Sequence, residues 1–191
     1  MEHPPPLGHA SSWSRSLISN QFRVSPWSPN DRRYSSGALS CRLVSNLFVP
    51  DDFEVPLELA TDRFRLEPLG PEHNERDHEA WASSVAHIRA TPGFTEGNWP
   101  TEMSAEQNLS DLERHAEDFA ARSGFTYSVL DRDEVIGCVY LYPANDGEHD
   151  VKAQSWVRAS RAELDVVLWE TVWSWLAAAW PFEHPLYEPR R

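Results

Sequence analysis

Apolar residues recur at spacings of three and four between Ser160 and Trp180: Leu164, Leu168, Val172, Trp175 and Ala179. That is the stripe of a half-buried helix. Val167, Trp169, Trp173 and Trp180 widen it, so most of the helix is expected to be covered. Ser160 and Glu163 make an S-x-x-E capping box ahead of the run, and Pro181 stops it. Leu57, Leu59, Phe64, Leu66 and Leu69 alternate with polar residues around Thr61-Asp62-Arg63, a strand signature with a turn before it. A helix is expected from Glu72 to Ala90, with Trp81, Val85 and Ile88 on one side. Residues 91–103 read as a Gly/Pro loop carrying Phe94 and Trp99. Ser104 and Gln107 form a second capping box, for a helix running to Arg122 with Leu109, Leu112, Ala116 and Phe119 inward and Gly124 closing it. Phe125–Leu130 and Val135–Tyr142 flank a polar turn and predict a hairpin; Val151–Val157 and His184–Tyr187 add strands. The order is strand, helix, helix, three strands, helix, strand. It predicts an α/β or α+β fold, a sheet with helices on it.

Composition changes this picture at the N-terminus. Residues 1–50 hold eleven Ser and six Pro without lasting periodicity, and predict a disordered leader. The domain is expected over residues 51–191. Nine Trp, eight Phe and five Tyr in the chain suit a compact aromatic core. The net charge is −13, yet the first fifty residues carry five Arg against Glu2 and Asp31, so the excess acid lies in the domain. Such a body repels phosphate backbones and anionic lipid, which argues against nucleic-acid and membrane partners. Cys41 and Cys138, one in the leader and one in an expected strand, argue against a structural disulfide and fit a reducing, cytoplasmic setting. The eight His are scattered, with no metal-ligand spacing, and no signal peptide precedes the domain. Asp165 and Glu170 interrupt the long apolar run, which reads as a core helix rather than a membrane span.

The order of elements resembles the GNAT superfamily of acetyl-CoA-dependent N-acetyltransferases. A-T-D-R-F-R-L-E-P-L at 60–69 is similar to the T-x-R-L-x-L-R-P-L first strand of the branch that acetylates the N-terminal amines of ribosomal proteins. D-R-D-E-V-I-G-C-V-Y-L-Y-P at 131–143 resembles the family's hairpin, with the I-G that opens its fourth strand. S-W-V-R-A-S-R-A-E-L-D at 155–165 stands in the place of its fifth strand and cofactor loop. The resemblance covers residues 55–190. It implies acetyl-CoA as co-substrate, held between the family's fourth and fifth strands with its pyrophosphate at the start of the next helix. Val157, Arg158, Arg161 and Ala162 would then bind the cofactor.

Two departures accompany the resemblance. The family's loop is R/Q-x-x-G-x-G/A, whose glycines let backbone N–H groups approach phosphate; residues 158–165 contain no glycine. The capping box would occupy a free amide of the first turn, and Glu163 and Asp165 place negative charge where the family places phosphate. The chain also ends soon after Tyr187, before the family's last helix and strand.

Acetyl transfer to an amine needs a base, an oxyanion site and an acid. Glu134, Tyr140 and Tyr142 are the catalytic candidates; solvation of a turn carboxylate and packing of strand tyrosines are the plainer alternatives. Cys138 reads as a buried thiol. His87, Phe94 and Trp99, around the 91–103 loop, are candidates for an acceptor pocket taking a small-molecule or peptide amine. Two functions stay open: an N-acetyltransferase of unidentified amine acceptor, and a GNAT-fold binding protein that has lost the pyrophosphate loop. A homodimer, in which a partner chain completes the fold, is a further arrangement.

Overall fold

The computed structural model describes residues 48–190. The expected leader lies, but for its last three residues, outside them. The chain runs β1 (Leu59–Ala60), β2 (Arg65–Pro68), α1 (Asn74–Ala82), α2 (Val85–Ala90), α3 (Ala105–Ala120), β3 (Phe125–Asp131), β4 (Glu134–Pro143), β5 (Val151–Val157), α4 (Asp165–Ala179) and β6 (Pro185–Leu186). The strands form one sheet in sequence order, antiparallel throughout except for the parallel pair β5–β6. The sheet is mixed and mostly antiparallel with flanking helices, within the α/β or α+β class that the sequence predicts.

Period two along the strands sorts their side chains onto two cores. Phe125, Tyr127, Val129, Val139, Leu141, Val151 and Ala153 face α4, where Leu168, Val172, Trp175 and Leu176 meet them. Val49 is buried in this core and Phe48 packs on it. The other face carries Cys138 and Trp156, covered by Trp81 and Ala80 of α1, Ile88 of α2 and Leu112 of α3. At about 25 cal/mol per Å² of buried apolar area, these two layers are the main source of stability.

Several local expectations change. The helix expected over 72–90 begins as a 3-10 turn at Pro71–His73 and breaks at Ser83 and Ser84, where the carbonyl of Ala80 also accepts the Ser83 hydroxyl at 3.1 Å. The Ser104–Gln107 capping box forms, Gln107 N–H donating to Ser104 Oγ at 3.2 Å and Ser104 N–H to Gln107 Oε1 at 2.8 Å. The Ser160–Glu163 box does not. Residues Ala159–Leu164 form a 3-10 turn with no side-chain cap, and the α-helix starts only at Asp165. The N–H of Ala159 donates instead to Ser84 Oγ, 2.9 Å away at the head of α2. Trp173 and Val166 are each 41% exposed, so α4 is less covered than its composition suggests.

The position of the sheet's opening also differs from expectation. β4 and β5 stay paired over seven positions, from Gly137↔Val157 to Pro143↔Val151, and leave no gap between them. The parting occurs on the other side of β5. β6 pairs only with Val151 and Lys152, and the chain beyond Leu186 leaves the rest of that β5 edge as a notch.

Candidate functional site

A cavity of about 430 Å³ lies on the α1/α3 side of the sheet. Its floor comes from β4 and β5 through Tyr140, Lys152 and Gln154, which share one face by period two. The loop after α2 supplies Phe94 and Trp99, and α1 and α3 supply Asp77, Asn108, Asp111 and His115. Phe94, Trp99 and Tyr140 form a triangle with centroids 5.6, 6.3 and 6.4 Å apart. The loop holding two of them is pinned where Gln154 Nε2 donates to the Gly93 carbonyl and Arg89 to that of Pro100 at 2.6 Å.

Asp77 lies in the cavity wall and is 4% exposed. Its Oδ2 accepts from Asn108 Nδ2 at 3.1 Å, and Asn108 Oδ1 accepts from Trp81 Nε1 at 2.9 Å. Burial pushes the Asp77 carboxyl up to about 6, against the pull of the Asn108 bond. His115 enters from α3. Its Nδ1 lies 2.7 Å from the Tyr142 hydroxyl, which donates to Asp118 Oδ2 at 2.9 Å. Burial, with Arg114 adding to it, draws the imidazole down to about 4, so it is neutral at physiological pH.

The notch on the β5 edge is filled by residues 187–190. The Arg190 side chain is 2% exposed. Its Nη2 donates to the Ser155 carbonyl at 2.7 Å and to Ser155 Oγ at 3.2 Å, and its Nη1 donates to the Pro92 carbonyl at 3.1 Å. Its Nε is 3.0 Å from Asp165 Oδ2 but out of line, so that contact is ionic rather than a hydrogen bond. Tyr187 is buried, its hydroxyl on Ser155 Oγ, and burial pushes that hydroxyl up to about 12. Notch and cavity are neighbours across Pro92 and Gly93.

The structure brings together Phe94, Trp99 and Tyr140, and places the other sequence candidates elsewhere. His87 does not line the cavity, and its Nε2 is buried without a partner. Glu134 lies outside the cavity and accepts from Arg158 and Arg161 at 2.8 Å each. Those two arginines are further engaged by Glu79 and Asp131. Tyr142 hydrogen-bonds behind His115, while Val157 is buried in the α4 core and Ala162 is exposed on the 3-10 turn. Sequence reasoning missed Asp77, Asn108, His115 and Arg190. Asp77 and Asn108 fall on helical spacings facing inward, a signal that could have marked them as polar residues on apolar faces.

No protein-family model matches the sequence. No curated protein matches it either. Among solved structures, the chain is similar to a ribosomal alpha-N-protein acetyltransferase in complex with coenzyme A, with TM-score 0.50 and 11% identity over 64% of this chain and 67% of that one. A ribosomal-protein alanine acetyltransferase from Vibrio fischeri aligns with TM-score 0.49 and 12% identity, over 63% of this chain and 67% of that one. A microcin self-immunity acetyltransferase in complex with acetyl-CoA and AMP aligns with TM-score 0.48 and 10% identity, over 66% and 71%. The chain thus spans about two thirds of the length of these structures. At such identities the likeness concerns the fold, which is GNAT-like.

Proposed function

We propose that this chain is a small-ligand-binding protein on a GNAT-like fold. The acceptor side of the sheet keeps an open cavity, and the acyl-thioester side is closed by the chain's own residues 187–190. The observation that carries this reading is Arg190, buried in the β5–β6 notch on the Ser155 carbonyl. Acetyl-CoA, the co-substrate that the resemblance implies, does not fit the residues present. The turn from Arg158 to Asp165 has no glycine, and its Ala159, Arg161 and Asp165 amides are bonded to Ser84 Oγ, the Arg158 carbonyl and the Ala162 carbonyl. Asp165 then puts a carboxylate on the first residue of α4, where a helix terminus would otherwise attract phosphate. The acidic body and the free, buried Cys138 suit a reducing cytoplasm.

Titration with acetyl-CoA tests the reading. A ligand in hundredfold excess over its dissociation constant stabilises the folded state by about 2.7 kcal/mol. The melting temperature is expected to stay unchanged at millimolar acetyl-CoA. A saturable rise, or acetylated amine in a mass-spectrometric assay, overturns it.

The rival reading is an N-acetyltransferase in which residues 187–190, a strap over the β5 edge, swing out of the notch. It is favoured by the adjacency of cavity and notch across Pro92 and Gly93. In that reading Tyr140, which lines the cavity, remains a candidate acid or base, while Glu134 and Tyr142 are not among its lining residues. Arg190→Ala separates the two. If the strap is a gate, the variant gains acetyl-CoA binding; if the cleft is lost altogether, it does not.

A further inference from the structure

Asp77 lacks the partner that a buried carboxylate ordinarily has. Among the described residues no Lys, Arg or His nitrogen lies within 4 Å of it. Its hydrogen bond comes from a neutral amide, Asn108. The nearest imidazoles are committed elsewhere. His73 Nδ1 accepts from the Gly70 N–H at 3.1 Å, so its Nε2 donates to Glu67 at 2.9 Å. His78 Nε2 donates to the Met103 carbonyl at 2.9 Å. Arg114, which lines the cavity from α3, pairs with Asp111 at 3.0 Å. An unpaired buried charge is costly, and folded proteins rarely keep one without a use.

The cavity around this carboxylate is built for one kind of occupant. Phe94, Trp99 and Tyr140 line the same cavity, and aromatic ring faces attract cations. His115 is neutral and its Nδ1 is engaged with Tyr142; among the described residues the two cations that line the cavity are Arg114, paired with Asp111, and Lys152, exposed on β5. At about 430 Å³ the space holds a small organic molecule rather than a metal ion. Among the described residues no group of three or more His, Cys, Asp or Glu is placed to hold a metal.

We infer that the cavity binds an organic cation, its charged nitrogen on the Asp77 carboxylate and its body against Phe94, Trp99 and Tyr140. This deepens the proposed ligand-binding function by naming the ligand's chemical class. It does not require the cation to be acylated. Asp77 is faced by His73 and His78 from its own end of the chain, by Asp111 from α3, and by Cys138 and Tyr140 from β4. The two imidazoles act on it only through space, and Arg114 and Lys152 of the cavity lining, like them, have no nitrogen within 4 Å of it.

The test uses one ring in three charge states: benzyltrimethylammonium, benzyl alcohol and benzoate, titrated against the full chain by tryptophan fluorescence and calorimetry. The cation is expected to bind at least about tenfold more tightly than the alcohol, and benzoate more weakly still. Asp77→Asn retains the side chain's shape and a carbonyl oxygen for the Asn108 amide, and is expected to lose about tenfold in affinity for the cation alone. In the unaltered chain, affinity for the cation should fall as pH drops through 6, where the Asp77 carboxyl takes up its proton. Equal binding of cation and alcohol, no saturable binding of the cation, or an affinity flat from pH 7 to about pH 5 overturns the inference. Benzyltrimethylammonium has no group that accepts an acyl chain. Its binding therefore stands or falls separately from the acetyl-CoA titration.

Discussion

A Cβ placed on Gly137 would overlap the Trp156 carbonyl oxygen of the facing strand. That oxygen belongs to backbone held in the β4–β5 ladder, so it cannot yield without parting the two strands. Gly137→Ala is therefore expected to cost roughly 1–3 kcal/mol or more, read as a lower urea midpoint with an unchanged slope. The sequence shows an I-G pair there but not the reason for it. At Gly124 the sequence suggests the wrong reason. The left-handed residue that ends α3 is Arg122, with φ 58°. Its N–H bonds the Phe119 carbonyl and the Ser123 N–H bonds that of Asp118, the double closure of a Schellman end. Arg122 is held there by its guanidinium, which donates to the Pro50 and Phe53 carbonyls at 2.6 and 2.9 Å. Gly124 is small because the Tyr142 ring lies against it, and that ring is anchored by Asp118 and His115. A contact eighteen residues ahead in the chain leaves no trace in local sequence.

Two S-x-x-E/Q signatures precede helices in this chain, and only one is a cap. At Ser104 both reciprocal bonds form. At Ser160 the chain has already been turned by Ser84, whose hydroxyl takes the Ala159 amide, and by Arg158, whose N–H bonds the Ile136 carbonyl at 2.7 Å. A local motif is silent about a partner 75 residues away. Ser104→Ala is expected to cost about 1 kcal/mol and Ser160→Ala less than about 0.5, both measured by chemical denaturation. Equal losses would mean that the second box forms after all. The elements themselves were legible because each rests on periodicity: the hairpin, the α3 stripe and the α4 stripe all fall where apolar spacing places them. The cavity was half legible. Phe94 and Trp99 stand out in a loop, but Asp77 and Asn108 matter only once α1 and α3 lie side by side. The notch was not legible, because Arg190 finds Ser155 and Asp165 only after the sheet is assembled.

Across the whole molecule, the cavity should leave its mark on stability as a function of pH. In the unfolded chain Asp77 titrates at its ordinary 3.8, and in the folded chain at about 6. Below the lower value it is protonated in both states and makes no difference. As pH rises from there the unfolded chain sheds its proton first, so folding becomes less favourable, and the full penalty is present above 6. His115 acts in the opposite direction. Its imidazole is drawn from 6.5 down to about 4, so its contribution is intact above the upper value and is lost as pH falls through the lower one. The two slopes offset one another in the unaltered chain, which should therefore show a flattened profile over this range. Asp77→Asn removes only the first. The variant's advantage in unfolding free energy should accordingly grow between about pH 4 and pH 7 by on the order of 1–3 kcal/mol, because a tenfold difference in proton affinity between the two states is worth about 1.4 kcal/mol. Urea unfolding at a series of pH values measures it directly. If the variant and the unaltered chain run parallel, Asp77 is not an unpaired buried charge, and the cation site loses its anchor. If they diverge as expected, the ligand-free protein is holding a destabilising group in its cavity. That is the stability cost expected of a residue kept for binding rather than for folding.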